Sequence, residues 1–216
     1  MRLGTYYRCK LLDKIGIKAT KERVLDVGGY DGYWLSTQKA KNKYVVDLDV
    51  EKKYKNIKYS KADATDLPFQ SNYFDQVFAF DVLEHIEEGK EQKFIGELIR
   101  VCKKDGEIIL SIPSDRIKIY PPFLTNFVSR KWGHFKGNGY SKSELKKILS
   151  RHKNIDFNII ENNALFFRIF YFPLRLLWVL FPFLAKVIID KISNFDYINK
   201  LGNNGFYILI ISKKQI

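Results

Sequence analysis

The feature that most constrains this chain is a short apolar run that ends in closely spaced glycines. Residues 24–32 read Val-Leu-Asp-Val-Gly-Gly-Tyr-Asp-Gly. This pattern predicts a buried strand followed by a tight turn, because glycine adopts positive φ and lets a ligand approach the backbone closely. A helix is predicted after the turn, so its N-terminus would face whatever the turn holds.

A second apolar run, Tyr-Val-Val, ends at Asp47, nineteen positions after Gly28. An acid at the tip of the next parallel strand is placed to accept hydrogen bonds from a ribose diol. The two runs together therefore predict a nucleoside bound at the carboxyl ends of two adjacent parallel strands.

The glycine spacing also separates two kinds of cofactor. A dinucleotide site needs the pattern G-x-G-x-x-G, because its pyrophosphate touches the backbone at the helix N-terminus. Here Tyr30 and Tyr33 occupy two of the three glycine positions. Asp26 and Asp31 would also repel phosphate, and they suit a ligand that carries an amino group or a sulfonium. A positively charged nucleoside is thus favoured over a dinucleotide.

Three further segments follow in a fixed order, at residues 61–69, 73–86 and 97–113. They read Lys-Ala-Asp-Ala-Thr-Asp-Leu-Pro-Phe, then Tyr-Phe-Asp-Gln-Val-Phe-Ala-Phe-Asp-Val-Leu-Glu-His-Ile, then Glu-Leu-Ile-Arg-Val-Cys-Lys-Lys-Asp-Gly-Glu-Ile-Ile-Leu-Ser-Ile-Pro. With residues 24–32, this series resembles the class I S-adenosylmethionine-dependent methyltransferases, and within them the type 11 group.

The resemblance implies S-adenosylmethionine as the cofactor and no bound metal. It implies that the cofactor-binding residues are Asp26, Gly28, Gly29, Tyr30, Gly32, Asp47, Leu48, Asp63, Ala64 and Asp81. Tyr30 is a departure, since the family usually has glycine at this position. The methionine end of the pocket is therefore expected to differ in shape.

Alternating strand and helix patterns predict an α/β fold. We expect a Rossmann-like, seven-stranded, mostly parallel sheet with helices on both faces, whose last strand is antiparallel beside the fifth, as the resemblance implies. Strands are expected near residues 23–28, 43–48, 56–60, 74–80, 106–112, 156–161 and 206–212. Helices are expected near residues 5–15, 32–41, 89–103 and 141–152, the last opened by the capping-box spacing Ser-x-x-Glu.

The chain of 216 residues is predicted to be one domain. Within it we distinguish a leading segment (1–22), an acceptor-side loop (114–140) and an apolar insertion before the last strand (162–205). Because ligands of an open parallel sheet bind beyond the carboxyl ends of its strands, both the loop and the insertion are expected to overhang the cofactor. Long connections of this kind are usually functional.

Composition indicates in which compartment the protein is expected and which partners its charge suits. Cys9 and Cys102 have no metal-binding or redox spacing and are predicted to be reduced thiols. The first residues contain no apolar signal segment, which predicts a cytoplasmic protein. The net charge is +13, but the lysines are dispersed and no RNA-binding module accompanies them. A solvated basic surface or an anionic membrane is favoured over nucleic acid as the explanation of this charge.

Residues 164–189 are the most apolar stretch of the chain. On one ideal helix Arg168, Arg175 and Lys186 would form a narrow cationic stripe opposite a broad apolar face. This arrangement predicts a helix in the membrane interface, on the inner face of the membrane. A membrane span is disfavoured, because the longest uncharged run, Leu176–Ala185, is only ten residues long and Pro173 and Pro182 would break or kink the helix. A lid over a hydrophobic substrate and plain core or oligomer packing are the alternatives.

Methyl transfer occurs by in-line displacement and depends mostly on positioning the acceptor. A base is needed only when the acceptor must lose a proton. His85 and His134 are the predicted catalytic residues, because both are expected at the carboxyl edge of the sheet and imidazole titrates near neutral pH. The predicted acceptor is a small or lipid-linked molecule at the cytoplasmic membrane face. A non-catalytic nucleoside-binding scaffold and an RNA methyltransferase are the alternative functions.

Overall fold

The apolar runs of the sequence become the strands of one sheet. A computed structural model describes residues 2–116, 118–131, 133–137, 139–199 and 205–214. Within these residues seven strands pair in the order β3-β2-β1-β4-β5-β7-β6. They are β1 (Arg23–Val27), β2 (Asn42–Asp47), β3 (Ile57–Lys61), β4 (Phe74–Phe80), β5 (Cys102–Pro113), β6 (Ile155–Asn162) and β7 (Phe206–Lys213).

The pairing confirms the predicted topology. Strands β1 to β5 pair in parallel, whereas β7 runs antiparallel between β5 and β6. Val27, the last residue of β1, is level with Val46 of β2 and Ala79 of β4. The carboxyl ends of these three strands therefore meet at one edge of the sheet, which is where a ligand of such a sheet binds.

Helices cover both faces of the sheet, as predicted. They are α1 (Leu3–Lys14), α2 (Tyr33–Ser36), α3 (Glu91–Val101), α4 (Thr125–Lys131), α5 (Lys142–Leu149), α6 (Leu165–Ile169), α7 (Tyr171–Leu180) and α8 (Pro182–Ile198). Phe94 of α3 and Leu145 of α5 belong to the core on one face. Leu12 of α1 and Trp34 of α2 belong to the core on the other. The predicted capping box is present, since Ser141 and Glu144 bond each other's backbone N–H.

The helix predicted over residues 32–41 is much shorter than expected, because α2 ends at Ser36. The hydroxyls of Ser36 and Thr37 donate hydrogen bonds to the carbonyls of Tyr33 and Trp34. Such bonds from side chain to backbone compete with helix propagation. Beyond Ser36 the chain instead crosses to β2.

The apolar insertion is also not one helix. The insertion forms α6, α7 and α8, with breaks at Phe170 and at Phe181. At Phe181 the backbone leaves the helical region, with φ −138° and ψ 70°. Pro182 opens α8, a position where its missing N–H costs no hydrogen bond. The predicted single cationic stripe is therefore wrong. No helix among the described residues is both long and apolar enough to cross a bilayer.

The insertion packs on the leading helix to form a unit that we call the cap, comprising α1 and α6–α8. Its core contains Leu3, Tyr6, Tyr7, Leu11, Phe167, Tyr171, Leu174, Ala185 and Ile189. Tyr7 stacks on Phe167 at a ring distance of 3.9 Å. Its hydroxyl donates to the buried carboxylate of Asp196 at 2.7 Å, and that carboxylate also accepts the N–H groups of Phe166 and Phe167. These bonds hold α1, α6 and α8 together.

Candidate cofactor and acceptor site

The turn after β1 has a backbone that only glycine accommodates without strain. Gly28 has φ +75° and Gly32 has φ +70°. A Cβ added at Gly28 would lie 2.4 Å from Cγ2 of Val82, and one at Gly32 would lie 2.9 Å from the Tyr59 hydroxyl. Tyr30, at the position where glycine was expected, adopts φ +46° despite its side chain. The turn is thus packed tightly against its neighbours.

Asp47 contacts this turn from the end of β2, as the sequence predicts. Its carboxylate accepts hydrogen bonds from the N–H of Tyr30 at 3.0 Å and of Asp49 at 3.1 Å. Leu48, the next residue, is 64% exposed. The tip of β2 therefore presents a carboxylate anchored to the glycine turn beside an exposed apolar side chain, a combination that suits a ribose and the face of a base.

Asp26 is a buried acid beneath the same turn. A Cβ added at Gly29 would lie 2.7 Å from Asp26 Oδ2. Burial raises the pKa of Asp26 to about 7, Arg8 acts to lower it, and Asp47 and Asp31 raise it further. Three carboxyl groups close to one turn disfavour a phosphate and favour a cationic ligand.

The other predicted cofactor-binding residues lie on two neighbouring loops. Asp63 follows β3, where its carboxylate accepts the N–H of Thr65 at 2.7 Å, and this bond lowers the pKa of Asp63. Ala64 is partly buried against the core. Asp81 follows β4, has φ +53°, and accepts the hydroxyl of Ser111 at 2.7 Å.

Arg8 is a residue of this region that the sequence analysis missed. Its guanidinium lies 2.7 Å from Oδ2 of Asp81 and donates to the carbonyl of Phe80 at 2.9 Å. Arg8 belongs to α1, so the leading helix reaches the end of β4 from far away in sequence. No local pattern marks such a contact, because it depends on how α1 packs on the sheet.

The structure brings the two predicted catalytic histidines together. His85 ends the 3₁₀ turn Leu83–His85 after β4, and His134 lies in the acceptor-side loop. Their rings are 4.8 Å apart in an edge-to-face arrangement. Nδ1 of His85 lies 3.2 Å from the carbonyl of Gly133, and Nδ1 of His134 lies 3.2 Å from that of Gly137. Burial and the neighbouring His85 lower the pKa of His134.

Glu84 completes this group, and its role was not predicted although it stands beside His85 in the same motif. Its side chain is buried, with a relative exposure of 1%, and Oε2 has no hydrogen-bond partner among the described residues. Burial and nearby Asp81 raise the pKa of Glu84 well above its usual value. Tyr140 is buried and donates its hydroxyl to the carbonyl of Leu83. Tyr140 thus supports the turn that carries Glu84 and His85.

A cavity of about 480 Å³ lies where the chain leaves β5 and meets the start of α6. It is lined by Asp115, Arg116, Lys118, Tyr120 and Leu165. Both the acceptor-side loop and the apolar insertion contribute to it, as the topology predicts for connections that leave from the carboxyl edge.

The geometry agrees with comparisons to known proteins. Residues 23–110 match the family model described as a methyltransferase domain. The 2-methyl-6-phytyl-1,4-hydroquinone methyltransferase of Arabidopsis thaliana is 31% identical over 149 residues, which cover 58% of this chain and 42% of that enzyme. The chain thus spans less than half of this relative.

Solved methyltransferase structures share the fold. Phosphoethanolamine N-methyltransferase 2 of Haemonchus contortus, in complex with S-adenosyl-L-methionine, superposes with a TM-score of 0.63 at 17% identity, over 99% of this chain and 53% of that one. A SAM-dependent methyltransferase from Archaeoglobus fulgidus gives 0.60 at 17% identity, over 99% and 95%.

The matched segment contains the glycine turn, Asp47, the loop after β3 and the turn after β4. These are the features on which the resemblance in sequence rests, and the structure places them along one edge of the sheet. Residues 23–110 are therefore similar in sequence to a methyltransferase domain, and the chain has the fold of solved methyltransferases.

Proposed function

We propose that this chain binds S-adenosylmethionine at the carboxyl ends of β1, β2 and β4 and transfers its methyl group to a small acceptor. The observation that carries the proposal is the glycine turn with Asp47 bonded to it and the buried Asp26 beneath it. Asp47 would bind the ribose, Leu48, Asp63 and Ala64 would surround the adenine, and the acids of the turn would face the cationic methionine end.

Acceptor-side groups then complete the reaction. A lone pair of the acceptor forms the new bond to the methyl carbon while the carbon–sulfur bond breaks, and its electrons return to sulfur to give S-adenosylhomocysteine. His85 follows the cofactor-side residue Asp81 in the turn after β4. The ring of His134 packs against that of His85. We therefore assign both histidines to the acceptor, where they contribute to turnover more than to cofactor affinity.

A direct test separates the three functional alternatives. The purified chain is titrated with S-adenosylmethionine, S-adenosylhomocysteine and a dinucleotide in a calorimeter, and one site for the first two is expected. It is then incubated with methyl-labelled cofactor and a membrane-lipid extract, a small-metabolite extract or RNA. Label in an extract supports an enzyme and names the acceptor class. Binding without label in any arm would support a scaffold, and heat with the dinucleotide alone would refute the cofactor assignment.

The structure also favours a lipid-linked acceptor taken from a membrane surface. The junction of α7 and α8 exposes Leu176, Val179, Leu180, Phe181, Phe183, Leu184 and Val187, each with a relative exposure between 41% and 81%. Contiguous apolar surface of this kind marks an interaction site. We call it the α7–α8 tip.

Charges around the tip suit an anionic bilayer. Arg175 and Lys191 are exposed on α7 and α8, and Lys186 is partly exposed between them. Basic groups beside apolar ones are typical of segments that lie in the headgroup region. The plant relative is named for a phytyl hydroquinone, a ring with an isoprenoid tail. We infer a peripheral protein of the cytoplasmic membrane face whose acceptor carries an apolar tail.

Liposome flotation tests this second proposal. The wild-type chain should float with vesicles that contain anionic lipid, and less so at high salt. A variant with Val179, Phe181 and Phe183 changed to Ser should stay at the bottom of the gradient, because each side chain loses roughly 1.5–3 kcal/mol of burial in the bilayer. Ile160→Ser, which changes an exposed side chain on β6, is the matched control and should float. A wild-type chain that never floats would refute membrane binding and leave a lid or a packing surface.

A further inference from the structure

The histidine pair and Glu84 form a group whose donor set is that of a metal centre. One potential ligand atom from each of Glu84, His85 and His134 lies within 4.8 Å of the other two. Two imidazoles and one carboxylate are the protein ligands of many catalytic zinc and non-haem iron sites, which leave further positions open for water or substrate. We propose that these three residues bind a divalent transition-metal ion.

The orientation of both rings supports this assignment. Each histidine has Nδ1 at 3.2 Å from a backbone carbonyl, of Gly133 for His85 and of Gly137 for His134. A carbonyl only accepts, so Nδ1 must carry the proton in each neutral ring, and the lone pair is then on Nε2. Metal-bound histidines almost always donate their second nitrogen to a carbonyl or carboxylate in this way.

Glu84 provides the second, independent observation. Oε2 is buried and, within the part of the chain that the structure describes, no hydrogen bond reaches it, although Arg8 and Arg168 both lie close enough to influence the carboxyl group. Arg8 is paired with Asp81 instead. An orphaned buried carboxylate oxygen is costly unless a cation or a proton satisfies it. A metal ion between Glu84 and the two imidazoles would do so.

Hydrogen bonds hold the loop that carries His134 against the turn that carries Glu84 and His85. Phe135 donates its N–H to the carbonyl of Glu84 at 2.9 Å, so the loop is bonded to the turn at two points, here and at Gly133. Tetrahedral zinc with ligands at about 2.0–2.2 Å brings donor atoms to roughly 3.4 Å from one another. A small tilt of the exposed His85 ring that keeps its Nδ1 contact with Gly133 can supply the remaining approach.

The ligand set also indicates which metal is expected. Imidazole suits zinc, iron and cobalt, whereas magnesium prefers oxygen ligands and gives up its waters reluctantly. We therefore expect Zn²⁺ and Co²⁺ to bind and Mg²⁺ not to. Use of the metal on an acceptor rests on the proposed function. There it would bind an acceptor oxygen and favour its deprotonated form, so the histidines would be ligands and not bases.

The test measures metal binding in the absence of any methyl donor, so its failure is distinct from a failure of the proposed function. The chain is purified without a histidine tag and titrated with Zn²⁺, Co²⁺ and Mg²⁺ in a calorimeter, and the Co²⁺ absorption spectrum is recorded. One equivalent of Zn²⁺ or Co²⁺ is expected. Glu84→Gln and His134→Ala should weaken binding by at least about 100-fold, since even outer partners of ligands contribute 10–100-fold.

His152→Gln is the matched control, because His152 is the third histidine of the chain and lies outside the group. It should bind metal as the wild type does. If Glu84→Gln does not fold, His85→Asn replaces it, since His85 is exposed. Failure of the wild type to bind Zn²⁺ at micromolar concentration would overturn the proposal, as would binding that survives in both Glu84→Gln and His134→Ala.

Discussion

The cofactor edge and the cap are built in different ways. The cofactor edge consists of the turn after β1, the tip of β2 and the turn after β4, and its residues lie between Asp26 and Asp81, in the segment that matches the methyltransferase-domain model. The cap joins α1 to α6–α8 across more than 180 positions, as in the bond between Tyr7 and Asp196. The first region depends on backbone shape, and the second depends on side-chain packing.

This difference has consequences for substitution. At the cofactor edge the shape of the backbone forms the candidate site, so a single added atom, such as a Cβ on one of the turn glycines, is expected to disturb it. In the cap a buried face holds the helices together, while the exposed face is expected to contribute little to stability. The five predictions that follow either sharpen this contrast or break it.

Gly28→Ala should have the largest effect. The residue has φ +75°, and the new Cβ would lie 2.4 Å from Val82. Positive φ costs about 1–3 kcal/mol and forced overpacking about as much again, so we expect roughly 2–6 kcal/mol less stability. Chemical unfolding measures it, and cofactor affinity should fall in parallel.

Gly16→Ala is the control for that prediction, since Gly16 has φ +81° with no atom within 4 Å of a new Cβ. It isolates the cost of the backbone conformation from the cost of the clash. Equal losses in the two variants would show that the turn is not tightly packed.

Asp26→Asn should remove a pH dependence. Burial raises the pKa of Asp26 from its usual value of 3.8 to about 7 in the folded chain, so the folded state holds a proton that the unfolded state loses. Stability therefore falls as pH rises from about 4 to about 7 and is constant above, by at most about 4 kcal/mol. The variant should lack this slope and gain stability relative to the wild type at pH 8. A parallel pair of curves at all pH values would contradict the burial of this acid.

Cofactor affinity should also depend on the protonation state of Asp26. A cationic ligand near Asp26 favours its ionised form, so wild-type affinity is expected to rise as pH increases through 7. Calorimetry with S-adenosylmethionine, whose sulfonium is positively charged, at pH 5.5 and 8 measures this change, which Asp26→Asn should abolish.

Asp47→Ala should weaken cofactor binding by about 1.5–3 kcal/mol, the range for hydrogen bonds to a charged group. Its partners in the chain are two backbone N–H groups at a partly exposed site, so the fold should survive. Asp49→Ala is the control at the same tip and should bind normally. The reverse result would move the ribose contact to Asp49.

Phe183→Ser should have the smallest effect on stability, within about 0.5 kcal/mol, because the side chain is 81% exposed. Phe167→Ser is the comparison within the cap, since Phe167 is buried and stacked on Tyr7, and it should cost about 3–5 kcal/mol. Thermal unfolding of both variants decides the matter. A large loss from Phe183→Ser would mean that the α7–α8 tip is structural.

The same contrast explains what the sequence can and cannot predict. The glycine turn, the acid at Asp47 and the strand order follow from local chemistry and from a shared pattern, and the structure has them where they were expected. The position of Arg8 against Asp81 could not be predicted, because it depends on the packing of α1. The contact between Glu84 and His134 joins segments 50 positions apart for the same reason.

The apolar insertion shows a second limit. Its hydrophobicity predicted a broad apolar face, and many apolar side chains of α7 and α8 are exposed. The prediction that Arg168, Arg175 and Lys186 form one stripe, however, required an unbroken helix. Pro173 is accommodated within the first turn of α7, where no intrahelical N–H bond is lost, whereas Pro182 follows a real break. Which of two prolines ends a helix depends on tertiary contacts, so periodicity alone could not distinguish them.

The position of β7 has a consequence for how the chain is made. Strand β6 joins the sheet only through β7, which is later in sequence and pairs with β5 on its other side. During synthesis β1 to β5 can therefore pair in order as they emerge, but β6 must wait, unpaired, until residues 206–213 have left the ribosome. A nascent chain paused between β6 and β7 would expose the open edges of β5 and β6 while the apolar insertion is also exposed. A pause in translation over that interval is therefore expected to lower the yield of folded protein.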